Sequence, residues 1–474
     1  MASQSPGVFQ RYRWRELGLL IIPFLILLVA MTQLFLANAD PRSSLNVKNL
    51  PTIEGLIPAL GLVAILLLAN VVLSVFFRKA DQVLLPLVGL LSGIGVMMAT
   101  RLGPNIPTCV TCEHDPGIPN LGTKQLEWVV MGLVICMVVM FVLRNISWLG
   151  RFKYTWAAVS FLVLLPSLIN GIRTFRSNAP SRDVLQIPFF ALQPSELLKI
   201  SIVIFFAAYL SENRDMIAQG FLRIGRFRLP PLRQLGPLLL MLGLALMIFL
   251  IVRELGLALL IYSLFLCMTY LASSKLSYVL VSLGIFFFLA FIGYSLLGYV
   301  RSRFAVVSID MIHWTQASEE LYQQPGGAGQ IVQGLIALSS GGIFGAGLGL
   351  GHPAGVGFVP VVESDMVLTA LGEELGLAGL FAILGLYLFI VYRGYRIAIE
   401  ATEPFTQLLA AGLTSIFAIQ TLIISAGNLK LMPLTGIPLP FLSYGGSSIL
   451  ANYIIVGILL RISHNTAVER DGSA

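Results

Sequence analysis

The sequence predicts an all-α fold, a polytopic bundle of transmembrane helices. Of the 474 residues, 57% are hydrophobic and only 11% are charged, and the mean hydropathy is +0.87. Soluble domains carry about 25% charged residues, so this composition excludes a soluble globular protein. Windows of roughly 20 apolar residues recur along the chain, which suits helices that satisfy their own backbone groups in lipid. The alternating segments of about ten residues that a membrane barrel needs are absent from the sequence.

The apolar windows predict about twelve spans. Their cores lie near 17–37, 54–77, 82–100, 126–143, 154–170, 192–210, 236–252, 255–273, 277–299, 366–392, 406–428 and 442–461. An even number of spans puts both termini on one side. Arginine and lysine cluster on that side, before the first span and after the second, fourth and sixth, so it is expected to be cytoplasmic. The net charge of +7 is therefore assigned to these loops and does not indicate nucleic-acid binding.

The opposite side carries the longer loops, near 101–125 and 300–365. The first contains Cys109 and Cys112, whose CVTC spacing lacks the partner pair of a zinc site and leaves a local disulfide open. The second contains Gly326–Gly351, a short apolar stretch between glycine clusters. Two interpretations stay open for that stretch: a re-entrant or interfacial helix, and a flexible loop.

Two opposite charges stand inside an apolar helix in "ALQPSELLKI". Glu196 and Lys199 are three residues apart and therefore share one helix face. Charges at membrane depth are costly unless they pair or face a wet cavity. A structural ion pair and a substrate-cavity lining are both compatible with this pattern.

Four carboxylates surround the start of a long span in "VPVVESDMVLTALGEELGLAGL" (Val359–Leu380). Glu363 and Asp365 precede the span, where the helix dipole alone favours acidic residues. Glu373 and Glu374 lie about 12 Å deeper at 1.5 Å per residue. A carboxylate at the membrane surface beside a large outer loop can also act as a general base or coordinate a metal.

The stretch "PLTGIPLPFLSYGGSS" (Pro433–Ser448) interrupts the apolar pattern with turn-forming residues. Its prolines stop a helix and its glycines permit unusual backbone angles. Irregular backbone at this depth is tolerated only beside protein or water, so the stretch is expected to line an outer-face cavity near Asp365. The lining residues that we select are Ser443, Tyr444, Gly445, Gly446 and Ser447.

Five ordered stretches between about residues 81 and 463 carry a family resemblance. They are "ALQPSELLK", "YVRSRF", "GQIVQGLIALSSGGIFGAGLGLG", "ESDMVLTALGEELGLAG" and "MPLTGIPLPFLSYGGSS". Together they resemble the motifs of the SEDS (shape, elongation, division and sporulation) family, the RodA/FtsW/SpoVE-like proteins. The resemblance implies a SEDS-like ten-helix core over 80–463 with a large extracytoplasmic loop at 300–365. Residues 1–79 then hold a cytoplasmic segment and two added transmembrane helices, and 464–474 form a short cytoplasmic tail.

The resemblance implies a peptidoglycan glycosyltransferase that polymerises lipid II at the outer face of the bacterial cytoplasmic membrane. Asp365 matches the family's essential outer-loop aspartate, which activates the acceptor hydroxyl or holds a divalent cation. Glu196 and Lys199 match its paired charges in a helix facing the central cavity. The implied partners are lipid II and a class B penicillin-binding protein, a transpeptidase. No cofactor is certain, and neither a role in elongation nor one in division is favoured.

Four arginines are candidates to stabilise the pyrophosphate leaving group. They are Arg173, Arg176, Arg301 and Arg303. Arg173 and Arg176 lie in a loop that breaks the charge rule, so either the topology slips there or these side chains have an anionic partner.

Two rival functions remain open. Membrane-embedded Glu196 and Lys199 keep a lipid II flippase or transporter in view, although no convincing inverted repeat is present. A non-catalytic scaffold for cell-wall enzymes is the other rival.

Overall fold

The computed structural model describes residues 13–37, 53–103, 120–173, 185–187, 190–214, 222–224, 227–229, 236, 243, 251, 254–296, 298–323, 328–351, 359 and 361–473. Apart from isolated positions, the span predicted near 236–252 lies outside these residues. Cys109 and Cys112, between which the sequence leaves a local disulfide open, lie outside them as well.

Helices dominate the described residues. In chain order they are α1 Trp14–Ala37, α2 Ile53–Phe76, α3 Leu84–Leu102, α4 Leu121–Val142, α5 Ser147–Arg151, α6 Lys153–Arg173, α7 Pro194–Glu212, α8 Leu255–Ser273, α9 Leu276–Leu296, α10 Gly298–Val307, α11 Gln316–Gln323, α12 Gly329–Gly341, α13 Val367–Glu400, α14 Pro404–Asn428 and α15 Gly446–Ser473. Eleven helices in the described part of the chain are long and apolar enough to cross a membrane. Each corresponds to one predicted span, which confirms the all-α transmembrane fold.

Two short antiparallel hairpins interrupt the helices. The first pairs β1 (Leu185–Ile187) with β2 (Phe190–Leu192), and the second pairs β3 (Leu222–Ile224) with β4 (Phe227–Leu229). Each strand has three residues and neither hairpin belongs to a larger sheet among the described residues. They are connections between helices and leave the fold class unchanged.

The chain divides into two compact units. The first unit comprises Met1–Arg144, Ala337–Ala401 and Pro440–Ala474, and the second comprises Asn145–Ile336 and Thr402–Leu439. Asp365 belongs to the first unit, and the Glu196–Lys199 helix belongs to the second. The stretch Pro433–Ser448 contributes its beginning to the second unit and its remainder to the first.

Small residues bring helices α4 and α15 of the first unit close together. A Cβ on Gly132 would lie 2.4 Å from the Tyr453 ring, and one on Gly457 would lie 2.9 Å from the Cys136 carbonyl oxygen. Small residues at helix contacts are typical of membrane bundles, where close backbone approach replaces the hydrophobic effect. The buried Tyr453 hydroxyl also forms a 2.8 Å hydrogen bond with Ser92 of α3.

Helix α7 forms the interior of the second unit. Its residues from Pro194 to Leu210 are buried almost without exception. It packs near α14, where a Cβ on Gly412 would lie 2.7 Å from Val203 and 2.8 Å from Met268 of α8. This depth explains why α7 reads as a nearly continuous apolar run, and it makes the two charges of that helix conspicuous.

Helix α13 is broken at Gly376, and the glycine segment after α12 forms hydrogen bonds with the backbone groups at the break. Gly376 has φ 68° and ψ −173°, a conformation that only glycine adopts readily. Four backbone hydrogen bonds join 341–351 to the broken turn. They run from Ala346 N to Glu373 O (2.9 Å), Gly347 N to Glu374 O (3.0 Å), Leu377 N to Gly342 O (3.0 Å) and Ala378 N to Ile343 O (3.0 Å). The stretch predicted either as a short helix or as a flexible loop is thus a short helix followed by an ordered turn.

Helix α15 continues through Ser473, beyond the end predicted near residue 461. No proline stops it, and contacts within the first unit extend along it. Arg461 Nε donates to the Leu143 carbonyl (3.1 Å), and Arg470 Nη2 donates to the Glu400 carbonyl (2.8 Å). The described part of the predicted tail is therefore helical.

Candidate active site

Asp365 lies in a tight turn that immediately precedes α13. The turn is built on Val361, whose φ of +55° is unusual for a branched residue. Its carbonyl oxygen accepts the amides of Ser364 (3.3 Å), Asp365 (3.2 Å) and Met366 (3.4 Å). Asp365 is half-buried, and Val367 begins the helix two residues later. A carboxylate at this end of α13 is favoured by the helix dipole.

The stretch Pro440–Ser448 is hydrogen-bonded to this turn. The Ser443 hydroxyl donates to the Ser364 carbonyl (2.5 Å), and the Tyr444 amide donates to the Glu363 carbonyl (2.8 Å). Gln125 of α4 in turn donates from Nε2 to the Ser443 carbonyl (3.2 Å). The signature stretch therefore fixes the backbone on which Asp365 stands, while its role in lining a substrate cavity stays a prediction.

Glycine is required where this stretch meets α4. Gly446 begins α15, and a Cβ there would lie 2.4 Å from the Trp128 ring. Gly445 lies in the turn just before it, with only Ser448 within 4 Å of an added Cβ. Ser447 is half-buried in the first turn of α15. Gly446 is thus explained by packing, and no contact in the structure explains Gly445.

Burial shapes the electrostatics beside Asp365. Desolvation raises the pKa of Glu363, whose side chain is half-buried two residues away. Desolvation also raises the pKa of Tyr444, and a hydrogen bond with Trp128 lowers it by a smaller amount. Both shifts favour the neutral form of the group relative to an exposed side chain of the same type.

The predicted pair Glu196 and Lys199 forms a buried ion pair in the second unit. Lys199 Nζ lies 2.7 Å from Glu196 Oε2, with side-chain exposures of 1% and 7%. Lys199 also donates to Gln420 Oε1 of α14 (3.1 Å), and Gln420 Nε2 donates to the Pro438 carbonyl (2.6 Å). A chain of polar contacts thus connects the membrane charges to the first half of the signature stretch. These contacts favour a structural role for the pair, and lining of a substrate cavity stays a prediction.

Two further contacts hold the same half of the signature stretch. Arg303 Nη1 donates to the Leu434 carbonyl at 3.0 Å. Just before the stretch, Lys430 donates to the Ile309 carbonyl. A Cβ on Gly256, at the start of α8, would lie 2.7 Å from the Thr435 carbonyl oxygen. The Leu434 carbonyl, which lies outside any helix, is in this way paired with a side chain of α10.

The four candidate arginines have different surroundings. Arg301 is exposed, donates to the Ser295 carbonyl (3.2 Å) and lies 5.9 Å from the Tyr294 ring centre. Arg303 is half-buried and engaged with Leu434 as above. Arg173 is the last residue of α6, with its side chain outside the described part. Arg176 lies outside the described residues altogether.

Glu374 forms structural contacts around the break in α13. Its carboxylate lies 3.2 Å from Arg101 Nε and accepts the Gly349 amide at 3.1 Å. Arg101 Nη2 also donates to the Gly351 carbonyl (2.7 Å). Glu374 therefore orders the glycine segment, and of the acids in this region Asp365 is the better candidate for chemistry.

A metal site is not supported by the side chains that the structure describes. Among them, no group of three or more His, Cys, Asp or Glu residues could hold an ion. Asp365 would need its further ligands from substrate oxygens or backbone carbonyls.

A family model described as "cell cycle protein", for FtsW, RodA and SpoVE, matches residues 81–468. The chain belongs to this family. The match begins after α2, so α1 and α2 lie outside the family core. It ends within α15.

Named relatives of this SEDS chain extend over most of its length. A protein named peptidoglycan glycosyltransferase RodA from Mycobacterium leprae is 36% identical over 401 residues, covering 84% of this chain and 80% of the relative. A probable peptidoglycan glycosyltransferase FtsW from Trichlorobacter lovleyi is 31% identical over 399 residues, covering 82% and 94%. These relatives place the chain among glycosyltransferase-type SEDS proteins.

Solved structures share the fold. A chain from a peptidoglycan synthase complex that coordinates polymerization and crosslinking aligns with TM-score 0.58 and 21% identity, covering 81% of this chain and 98% of that one. The rod shape determining protein RodA of Thermus thermophilus aligns with TM-score 0.53 and 21% identity, covering 81% and 97%. At this identity the likeness establishes the SEDS fold alone.

Sequence reasoning missed the polar residues that support the SEDS motifs. Gln125 and Gln420 are fully buried, and Arg101 is nearly so. Each stands close to or within an apolar run, as in "FAIQTLII", and a lone polar residue at membrane depth marks a functional or structural contact. The sequence therefore indicates that these polar residues form contacts, but it does not indicate which residues they contact.

Proposed function

We propose that this SEDS protein is a peptidoglycan glycosyltransferase that polymerises lipid II, in cell elongation or division, with Asp365 as the catalytic residue. The observation that carries the proposal is the geometry of the Asp365 turn. Its backbone is bound by Ser443 and Tyr444 of the most diagnostic family motif. A motif whose hydroxyl and amide hold one aspartate in place supports a role for that aspartate in the chemistry.

In the proposed reaction, Asp365 acts as a general base on the 4-hydroxyl of an acceptor N-acetylglucosamine. The oxygen attacks the anomeric carbon of a donor N-acetylmuramic acid, so that a new C1–O4 bond forms. The C1–O bond to pyrophosphate breaks, and undecaprenyl pyrophosphate leaves with the bonding electron pair. The proton of the hydroxyl passes to the carboxylate of Asp365. A positioned base of this kind contributes roughly 10²–10⁴-fold.

Cations near the departing pyrophosphate stabilise the charge that develops on it. Arg301 is the better placed of the two described candidates, because its side chain is exposed. Arg303 already binds the Leu434 carbonyl and can act only if that contact is shared. Charge-neutral replacement of Arg301 is expected to weaken substrate binding, and unchanged binding and turnover would remove it from the site.

The proposal sets the orientation and the partners. Asp365 faces the outer side, both termini are cytoplasmic, and the arginine-rich loops, apart from the one that holds Arg173 and Arg176, obey the positive-inside rule. Lipid II is delivered by the outer leaflet. A class B penicillin-binding protein, which crosslinks the nascent strands, is the proposed partner. The support is the fold shared with a chain of a synthase complex that couples polymerization to crosslinking.

The test uses the purified full-length chain, reconstituted in lipid vesicles with fluorescently labelled lipid II. Glycan strands separated by electrophoresis are expected. Exchange of lipid II between leaflets without strands would instead identify a flippase. The scaffold alternative predicts neither activity, together with normal growth of cells that carry Asp365→Asn.

A further inference from the structure

The first unit contains a cavity of about 520 Å³ at the opposite end of α13 from the Asp365 turn. It lies where α1 and α3 begin and where α13 and α15 end. Five cationic side chains line it: Arg15, Lys79, Arg393, Arg396 and Arg470. Three carboxylates line it as well: Asp81, Glu400 and Asp471. The proposed polymerase reaction uses none of these residues.

The charges of the cavity do not cancel. Each carboxylate has its own cation, in the pairs Asp81–Arg393, Glu400–Arg396 (2.9 Å) and Asp471–Lys79 (2.7 Å). Five cations less three carboxylates leave a formal charge of +2 on the lining. Arg15 and Arg470 are the two cations that remain after these three pairings, and Arg470 shares Glu400 with Arg396.

The two surplus arginines differ in their engagement. Arg470 donates to the Glu400 carbonyl at 2.8 Å, and its Nη1 is 4.0 Å from the Glu400 carboxylate. Arg15 is exposed, and within the described part of the chain it has no carboxylate within ion-pairing distance. A guanidinium in this situation is suited to bind an anion, since its planar fork matches phosphate oxygens.

Hydrogen bonds and an ion pair of Arg13 hold the start of α1 in place beside the cavity. Arg13 is fully buried, pairs with Glu16 (2.7 Å) and donates to the carbonyls of Phe77 (3.0 Å) and Asp81 (2.6 Å). Asp81 Oδ1 accepts the Leu84 amide (3.0 Å) at the start of α3. The added helix α1 is thereby locked to the family core, so Arg15 projects from a preorganised frame.

The residues beside the cavity are of the types expected at headgroup depth in a membrane. Trp14 begins α1 and is 55% exposed, and tryptophan marks the membrane–water interface. Leu19, one turn deeper, lines the cavity and is 39% exposed, so an apolar edge adjoins the charged lining. Basic pockets between transmembrane helices on the cytoplasmic side bind anionic lipid headgroups. A soluble phosphate would gain nothing from the apolar edge.

We propose that this cavity binds the phosphate of an anionic glycerophospholipid headgroup, with Arg15 and Arg470 as its principal ligands. Such a lipid would hold α1 against the ends of α13 and α15. The site gives the added helix α1 a binding function that is separate from catalysis at Asp365.

The test is native mass spectrometry of the purified full-length protein with phosphatidylglycerol and, separately, phosphatidylcholine. The wild-type protein is expected to retain phosphatidylglycerol preferentially. Arg15→Gln and Arg470→Gln should each weaken that binding about fivefold, because one interfacial cation is lost in each. The matched control is Arg151→Gln in α5, which removes one exposed cation outside the cavity and should retain wild-type binding.

Three outcomes overturn the proposal. One is an equal loss in Arg151→Gln, which would indicate only general surface charge. Another is unchanged phosphatidylglycerol binding in the Arg15→Gln, Arg470→Gln double variant when it elutes and melts as the wild type does. The third is displacement of phosphatidylglycerol by millimolar glycerol phosphate, which would assign the site to a soluble anion.

Discussion

The Ser443 hydroxyl donates a 2.5 Å hydrogen bond to the backbone carbonyl of Ser364, and Ser364 immediately precedes Asp365. Ser443 is 2% exposed and lies 79 residues after Ser364 in the sequence. Through this contact the proline- and glycine-rich motif holds the turn from which the proposed base projects.

Ser443→Ala is therefore expected to disturb the position of Asp365. The substitution removes the donor and leaves a carbonyl in the turn unsatisfied, at about 1–3 kcal/mol. Small displacements of a catalytic group are costly in rate, so polymerisation should fall at least about tenfold. The matched control is Ser308→Ala, whose exposed hydroxyl bonds only to the local Ala305 carbonyl. Wild-type turnover in Ser443→Ala would show that the contact does not position the base.

The Glu196–Lys199 pair supports a prediction about stability. Lys199→Met leaves a buried glutamate without its cation, and breaking a buried pair costs about 3–5 kcal/mol. The double variant Glu196→Gln, Lys199→Met should recover much of this loss, as measured by thermal unfolding in detergent. As a control, Lys153→Met disrupts the pair with Glu212, which is 54% exposed, and should cost less than about 1 kcal/mol. A double variant no more stable than Lys199→Met would argue against the pairing.

Gly376→Ala is expected to destabilise the first unit. Its Cβ would lie 2.3 Å from the Gly345 amide nitrogen, at a φ of +68° that side chains rarely adopt. Backbone strain of this kind costs on the order of 1–3 kcal/mol before the steric clash is added. Gly385→Ala in the same helix has nothing within 4 Å of the new Cβ and should be neutral or stabilising by up to about 1 kcal/mol. Equal melting temperatures for the two variants would contradict the description of the helix break.

Glu363 predicts a pH dependence of stability. Burial raises its pKa from the ordinary value of 4.5, so the folded state binds the proton more tightly than the unfolded state does. Its contribution to the free energy of unfolding is full below that ordinary value and is lost as pH rises through the raised native pKa. Glu363→Gln, which cannot ionise, should flatten this part of the melting profile and be relatively more stable at neutral pH. The exposed Glu320→Gln should leave the profile unchanged, and an identical profile in Glu363→Gln would refute the effect.

Local patterns predicted the elements of this structure but not their partners. Apolar run lengths located eleven helices, since lipid imposes a minimum helix length on any span. Proline and glycine in Pro433–Ser448 indicated a turn, because these residues cannot continue a helix there. Gln420 shows what was beyond reach, since its contacts to Lys199 and Pro438 depend on how α7 and α14 pack. The break at Gly376 was also missed, because one glycine among many carries no local mark of a positive φ.

The most direct test of the central claim is the rate of glycan synthesis by purified Asp365→Asn with labelled lipid II. The matched control is Asp310→Asn, which removes an exposed acid from the same segment between α9 and α13. The expected result is a loss of about 10²–10⁴-fold in Asp365→Asn, with wild-type melting and near-normal synthesis in the control. Strand synthesis by Asp365→Asn at the wild-type rate would contradict the assignment of Asp365 as the base.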